Sequence, residues 1–237
     1  MSQQDAYELA LAKRYRQVVP GPFRALAYAI SMAFHPLFML SYAYILLAVF
    51  NPFLFGEATT ARVFSMSREN PKGTWFVAFL LFSCIIPLVG VLLMRGLGMV
   101  HTLSLETRDE RKIPYVLAGL FYMSLVVQNN HNSELPDAIK IITLGATIAL
   151  FTAFFINLFS KISMHTVGAG GFLAMLMIII AESYAPAHLL LIVGLLVCGL
   201  VGTARLLLGA HKLSDIYGGY FVGFIGQFIA ITYYGLS

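Results

Sequence analysis

The sequence predicts an all-α membrane protein: a polytopic bundle of about six or seven transmembrane helices, preceded by an amphipathic helix. Of its 237 residues, 59% are hydrophobic and only 11% are charged, and the mean hydropathy is +0.82. A soluble domain of this size does not need so much apolar surface. Uncharged stretches long enough to cross about 30 Å of hydrocarbon also recur along the chain.

The N-terminal segment 1–22 is expected to be an amphipathic helix that lies on the membrane surface. Its bases would face the lipid head groups, and they are Lys13, Arg14 and Arg16. The polar start of mixed charge has no short apolar core leading to a cleavage site, which does not fit a signal peptide. A Pro-Gly-Pro sequence ends the segment, and residues 23–237 are expected to form a single transmembrane domain.

The transmembrane domain is predicted to contain seven apolar spans, of which the third and fifth are short. The predicted spans are 25–50, 74–94, 113–130, 138–160, 165–182, 187–204 and 214–236. His35-Pro36 in the first span predicts a helix kink with a hydrogen-bonded imidazole. Cys84 and Cys198 lie inside apolar runs and are expected to pack there rather than form a disulfide or bind metal.

Three clusters of charged and polar residues fall on one predicted face of the membrane. They are "RDERKIPY" (108–115), "KISMH" (161–165) and "ARLLLGAHKLSD" (204–215). Alternate connections between spans return to the same face, so clusters far apart in the sequence meet there. Convergence of this kind is typical of a functional site.

The stretch "ARLLLGAHKLSD" carries the most specific pattern. His211 and Asp215 are four residues apart, so they share a face if the last helix begins here. A carboxylate beside an imidazole fixes the tautomer and leaves the other nitrogen to act as base, nucleophile or ligand. The Arg205 guanidinium suits phosphate. The alternative is that Arg205 and Lys212 are interfacial anchors and Asp215 is an N-cap.

The other two clusters each allow two interpretations. In "KISMH", Ser163 and His165 stand at a predicted helix N-terminus, where free backbone N–H groups favour an anion. Alternatively, Ser163 is only an N-cap and His165 an interfacial histidine. In "RDERKIPY", Arg108, Arg111 and Lys112 form one basic face if the segment is helical. Alternatively, this segment is an ordinary basic loop beside a membrane.

Together, the clusters resemble the motifs of the membrane branch of the type 2 phosphatidic acid phosphatases, which share a core with vanadium haloperoxidases. The family motifs, in order, are Lys-x6-Arg-Pro, Pro-Ser-Gly-His and Ser-Arg-x5-His-x3-Asp. "ARLLLGAHKLSD" matches the third motif apart from Ala204, which replaces Ser. "KISMH" keeps the Ser and His of the second but lacks its Pro and Gly. "RDERKIP" is the loosest match, because Arg111 and Pro114 are not adjacent and the Lys is missing. The resemblance covers about residues 95–220.

The resemblance implies a phosphoric ester hydrolase that needs no metal and no cofactor and works through a phosphohistidine. His211 would attack phosphorus, and Asp215 would orient and polarise it. His165 would protonate the leaving lipid oxygen and then activate water. The non-bridging phosphate oxygens would be held by Arg205, Ser163, Arg111, Lys112 and Arg108.

A site at a membrane face, fed by apolar helices, predicts an amphiphilic substrate with its head group in a basic pocket and its tail between spans. The expected substrate is a lipid phosphate monoester or a polyprenyl diphosphate. Membrane lipids are the other expected partners, and no nucleic acid is expected. Gly219, Gly223 and Gly226 offer a close helix-packing face compatible with a homodimer.

The expected location is a bacterial inner (cytoplasmic) membrane, and the distribution of basic residues does not decide which side carries the site. Two other functions fit parts of the sequence. The incomplete first motif suits a non-catalytic membrane relative that acts as a binding partner. A transporter would use His35, His165, His211 and Asp215 as a proton or ion relay, and it predicts charged groups near the middle of the membrane.

Overall fold

The structure is a computed structural model and describes residues 10, 17–70, 72–100, 108–181 and 187–235, with the backbone alone for residues 108 and 109. Every regular element in these ranges is a helix, which confirms the predicted all-α class. Most of the predicted amphipathic segment 1–22 lies outside the described residues. Within it, residues 17 and 18 are helical, and Pro20 precedes the next helix.

Nine helices have described bounds. They are α1 (Gly21–Ala33), α2 (Pro36–Phe50), α3 (Thr60–Val63), α4 (Lys72–Gly96), α5 (Arg108–His131), α6 (Asp137–Phe159), α7 (Met164–Ala181), α8 (Ala187–Leu207) and α9 (Leu213–Tyr234). A 3₁₀ turn at Pro52–Phe55 follows α2, and a π-helical turn at Leu81–Ile85 interrupts α4.

The first predicted span is broken in the middle. α1 and α2 pass the test for a membrane span together but are bent by 58° at the break between them. Pro36 begins α2, and a proline has no N–H to continue the hydrogen bonds of a preceding helix. His35 caps α2 instead, because its Nδ1 accepts the N–H of Leu37 at 3.4 Å. The kink that the His-Pro pair predicts is therefore present.

The described helices include five that are long and apolar enough to cross a membrane, or six if α1 and α2 form one span. These are α4 and α6 to α9, and the chain is thus an integral membrane protein. The predicted third span, 113–130, is the helix α5. Its 24 residues reach about 36 Å, but the polar sequence at residues 128–131 lowers its hydropathy.

Small residues let α9 pack closely against α7 and α6. A Cβ atom on Gly223 would lie 2.0 Å from the carbonyl oxygen of Val167 in α7, so only glycine allows this approach. A Cβ atom on Gly226 would lie 2.7 Å from the carbonyl oxygen of Gly145 in α6. The glycine face that suggested a homodimer is therefore covered within the chain, and the homodimer stays a prediction.

The loop between α2 and α4 is fastened at the end of the bundle away from the three clusters. Glu57 accepts hydrogen bonds from Nζ of Lys72 at 2.8 Å, Nε of Arg62 at 2.8 Å and Nδ2 of Asn70 at 2.9 Å. Lys72 also donates to the carbonyl oxygen of Phe55 at 2.6 Å. These bonds tie the loop to the first turn of α4.

Candidate active site

Four helix ends meet around a cavity at one end of the bundle. They are the N-termini of α5, α7 and α9 and the C-terminus of α8. The cavity has a volume of about 470 Å³, and Arg111, His165, Arg205 and His211 line its polar end. Each of the three sequence clusters therefore supplies at least one lining residue.

The rest of the cavity wall is mainly apolar and extends into the helix bundle. Its lining includes Leu88 and Leu92 of α4, Tyr122 of α5, Leu150 of α6 and Met175 of α7. A cavity with bases at one end and hydrocarbon along the remainder suits a molecule with an anionic head and an apolar tail.

The end of α8 brings His211 back towards Arg205. Gly209 has a φ of +60°, the left-handed conformation that ends many helices. The N–H of Ala210 then bonds the carbonyl oxygen of Arg205 at 3.1 Å. The chain turns sharply here, and α9 begins only at Leu213. His211 therefore lies in the connection between α8 and α9.

His211 and Asp215 form a buried pair. Nδ1 of His211 lies 3.3 Å from Oδ2 of Asp215, and both side chains are almost fully buried. The same oxygen accepts the N–H of Lys212 at 3.4 Å, so the carboxylate also closes the first turn of α9. The backbone oxygen of Asp215 accepts the N–H of Ser163 at 3.3 Å. This bond joins the start of α9 to the start of α7.

Positive charge and burial act together on His211. Burial and the charges of Arg111, Arg205 and Lys161 hold the pKa of His211 well below its ordinary range. The carboxylate of Asp215 at Nδ1 acts in the opposite direction. The result favours a neutral imidazole, whose Nδ1–H faces Asp215 and whose Nε2 carries the lone pair.

Two arginines are buried at the polar end of the cavity. Arg111 is 5% exposed and donates from Nη1 to the carbonyl oxygen of Ile162 at 3.1 Å. Arg205 is 9% exposed and donates from Nη1 to Oγ of Ser31 at 3.5 Å. Among the described residues, Nε of Arg205 has no hydrogen-bond partner, and no carboxylate pairs with this guanidinium. Buried charges are normally paired, so this arrangement favours an anion in the cavity.

Ser163 and His165 flank the first residue of α7. Ser163 precedes the helix, but its buried Oγ has no hydrogen-bond partner among the described residues. Its hydroxyl therefore does not act as an N-cap. Ser163 is fully buried and is not itself a lining residue, but it precedes the lining residues Met164 and His165 in the chain. His165 lines the cavity, and its Nε2 donates to the carbonyl oxygen of Ser31 at 3.2 Å.

The basic side chains at the start of α5 differ in their surroundings. Arg111 is buried and lines the cavity, whereas the side chain of Lys112 is exposed and outside the cavity lining. The side chain of Arg108 lies outside the described residues. Neighbouring residues on a helix point about 100° apart, and Arg111 is the one of this pair that lines the cavity; binding of phosphate by Arg108 or Lys112 stays a prediction.

The first two helices supply cavity residues that the sequence clusters did not include. They include Tyr28, Ser31 and Met32 of α1, His35 between the helices, and the first five residues of α2, Pro36 to Leu40. The rings of His35 and His165 are in edge-on contact with centroids 5.2 Å apart. The His-Pro pair was the signal for a special feature here, but it did not indicate the contact with His165. In the described part of the chain, no three His, Cys, Asp or Glu side chains are grouped to hold a metal ion.

Residues 128–236 match the family model of the PAP2 superfamily. This match confirms the predicted resemblance to type 2 phosphatidic acid phosphatases over that part of the chain. It includes Ser163, His165, Arg205, His211 and Asp215, and it supports a phosphatase-type, hydrolytic activity on phosphate esters. Helices α1 to α4 and Arg111 precede the matched segment. No significant match to the chain was found among curated proteins or solved structures.

Proposed function

We propose that this chain, on the premise of its PAP2 superfamily segment, is a membrane lipid phosphatase. It hydrolyses a lipid phosphate monoester or a polyprenyl diphosphate through a phosphohistidine intermediate, without a metal ion or cofactor. A bacterial inner membrane is the proposed location, and membrane lipids are the proposed surroundings of the substrate.

One observation carries the proposal: the cavity lined by His211 is also lined by Arg205, a buried guanidinium whose Nε has no hydrogen-bond partner among the described residues. Nε of Arg205 and Oγ of Ser163 are buried donors without a partner among the described residues. Leaving such groups unsatisfied is costly. The non-bridging oxygens of a phosphate would satisfy them, and Arg111 would add a second guanidinium to the same anion.

The first step follows from the orientation of His211. Nδ1 donates to Asp215, so Nε2 is the nucleophile. The bond from Nε2 to phosphorus forms while the bond from phosphorus to the leaving oxygen breaks. His165 gives a proton to that oxygen. The leaving group is a lipid alcohol for a monoester or a polyprenyl phosphate for a diphosphate, and the guanidiniums stabilise the charge on the equatorial oxygens.

The second step regenerates the enzyme. His165, now neutral, removes a proton from a water molecule that attacks phosphorus, and the bond from phosphorus to Nε2 breaks. Inorganic phosphate leaves, and His165 has regained the proton that the first step used. Two histidines on different elements can divide these tasks because only His211 faces a carboxylate.

The shape of the cavity supports a lipid as substrate. The phosphate would lie at the basic end, and the first part of the tail would lie along Leu88, Leu92 and the other apolar lining residues of the bundle. The helices α1, α4 and α5 that line this part belong to the apolar exterior of a membrane protein, so the remainder of the tail can stay among membrane lipids.

The test is phosphate release from a panel of lipid phosphates by purified protein in detergent micelles. We expect wild type to release phosphate and His211→Ala to fall to background. His131→Ala is the matched control, because His131 is exposed on α5, bonds the carbonyl oxygen of Val127 in its own helix and does not line the cavity. Acid-labile ³²P on wild-type protein would identify the phosphohistidine.

Three outcomes would contradict the proposal. Equal release by wild type and His211→Ala would refute the nucleophile. No release from any lipid phosphate by folded wild type would favour a non-catalytic relative. Loss of activity with chelators would indicate a metal enzyme.

A further inference from the structure

The break between α1 and α2 leaves the backbone carbonyl of Ser31 without its helical partner. In a continuous helix, the carbonyl oxygen of Ser31 would accept the N–H of His35. Here the N–H of His35 bonds the carbonyl oxygen of Met32 at 3.3 Å instead. Pro36 has no N–H with which to satisfy Met32. The sequence at the break thus diverts the donor that Ser31 would otherwise use.

The carbonyl released in this way meets the site. The carbonyl oxygen of Ser31 accepts a hydrogen bond from Nε2 of His165 at 3.2 Å, although 134 residues separate the two in the sequence. The hydroxyl of the same residue accepts Nη1 of Arg205 at 3.5 Å. Ser31 is 5% exposed, so both contacts are shielded from water. Ser31 of α1 therefore contacts both His165, the proposed general acid, and Arg205, which is proposed to bind the phosphate.

Packing holds α1 in this position. Ala27 of α1 is buried against Ala204 and Leu208 at the end of α8. Pro36 lies against Gly168 of α7, where an added Cβ atom would be 3.1 Å from both Cα and Cβ of the proline. The break is thus fixed against the helices that carry Arg205 and His165, and His35 closes the side of the His165 ring.

We infer that Ser31 is a positioning residue of the active site and that the Pro36 break exists to present its carbonyl to His165. This inference rests on the proposed function. The carbonyl keeps one proton on Nε2 throughout the cycle, so Nδ1 is the nitrogen that gives a proton to the leaving oxygen and takes one from water. A fixed tautomer and ring orientation are what a general acid needs.

The decisive variant is Pro36→Ala, which restores an N–H at position 36 and lets the helix continue. Met32 then has its own donor, the N–H of His35 returns to Ser31, and the carbonyl is withdrawn from His165. We expect kcat to fall about 10- to 100-fold with KM nearly unchanged. The melting temperature in detergent should change little, because the helical hydrogen bonds gained offset the packing that α1 loses against α8.

Pro52→Ala is the matched control, because Pro52 also begins a helical turn but lies in the loop fastened by Glu57. It should leave kcat and KM at wild-type values. Wild-type kcat in Pro36→Ala, while His211→Ala is inactive, would overturn the inference and leave the proposed function intact. If His211→Ala is active, the proposed function itself fails.

A second measurement does not depend on how well the variant folds. The ¹⁵N shifts of labelled histidine in wild-type protein, with His165→Gln to assign the signal, report the tautomer of His165. We expect neutral His165 to carry its proton on Nε2. A proton on Nδ1 would overturn the inference, since the carbonyl of Ser31 could not then accept from Nε2.

Discussion

Nδ1 of His211 lies 3.3 Å from Oδ2 of Asp215, across the junction where α8 ends and α9 begins. The carboxylate is fixed independently of the imidazole, because Asp215 is the third residue of α9 and also accepts the N–H of Lys212. Asp215 is therefore not the N-cap of α9, which is Lys212, but its carboxylate contacts both the N-cap backbone and His211. The start of the helix fixes the carboxylate, and the carboxylate orients the histidine.

Asp215→Asn should lower kcat by roughly 10²- to 10⁴-fold, with a smaller effect on KM. An amide presents both a donor and an acceptor, so Nδ1 can become the unprotonated nitrogen and Nε2 then loses its lone pair. Phosphate release under saturating substrate measures the effect. Asp137→Asn is the control, because Asp137 is exposed and pairs with Lys140 at 2.8 Å on α6. Equal rates for the two variants would refute the role of Asp215.

Arg205→Lys should lower kcat/KM by about 10²- to 10³-fold. Lysine keeps the positive charge but lacks the planar fork and the buried Nε, which has no partner among the described residues. Arg62→Lys is a suitable control, because Arg62 donates from Nε to the carboxylate of Glu57 and does not line the cavity. A kcat/KM that is unchanged in Arg205→Lys would mean that the positive charge alone binds the phosphate.

The pH dependence of kcat/KM should follow His211 on its acid side. The pKa of His211 is held low by burial and by Arg111, Arg205 and Lys161, so His211 stays neutral and nucleophilic below the ordinary histidine pKa of about 6.5. The acid limb should therefore lie below that value. An acid limb at or above about pH 6.5 would contradict this account of His211.

Lys161→Met tests the acid limb directly. Removing the positive charge of Lys161 raises the pKa of His211, so the acid limb should move to higher pH. Lys140→Met removes a charge that faces Asp137 instead and should leave the acid limb in place. A shift to lower pH in Lys161→Met would have the wrong sign and would reject this electrostatic account.

The sequence predicted those features that depend on local pattern. Apolar runs predict helices that cross a membrane, because the length of each run can be compared directly with the thickness of the bilayer. The spacing of His211 and Asp215 predicted their contact, although His211 precedes α9 and the turn before Leu213, not a shared helix face, brings the two side chains together. The kink at Pro36 followed from a missing N–H. Each of these inferences needed only residues close to one another in the chain.

The features that the sequence did not predict depend on how distant helices are placed and rotated. Ser31 meets His165 across 134 residues, and nothing in the spacing around a single serine in an apolar helix indicates that contact. The choice between Arg111 and Lys112 depends on the rotation of α5, which packing decides. Gly223 indicated a close helix contact, but the sequence did not show that the partner is α7 of the same chain.

The contact between α9 and α7 should not tolerate a methyl group at position 223. A Cβ atom there would lie 2.0 Å from the carbonyl oxygen of Val167 and 2.6 Å from the N of Gly171. Both neighbours are backbone atoms, so the helices themselves must separate. Gly223→Ala should therefore destabilise the protein by about 1–3 kcal/mol, measured as a lower melting temperature in detergent.

The same change should also lower activity in the variant that remains folded. Separation of α9 from α7 loosens the bond from the N–H of Ser163 to the backbone oxygen of Asp215, which joins the two halves of the site. Gly218→Ala is the control within the same helix, because a Cβ atom there meets nothing within 4 Å. That variant should match or exceed wild-type stability, since alanine favours helix over glycine by up to about 1 kcal/mol. Equal melting temperatures for the two variants would mean that α7 and α9 are not in the close contact described.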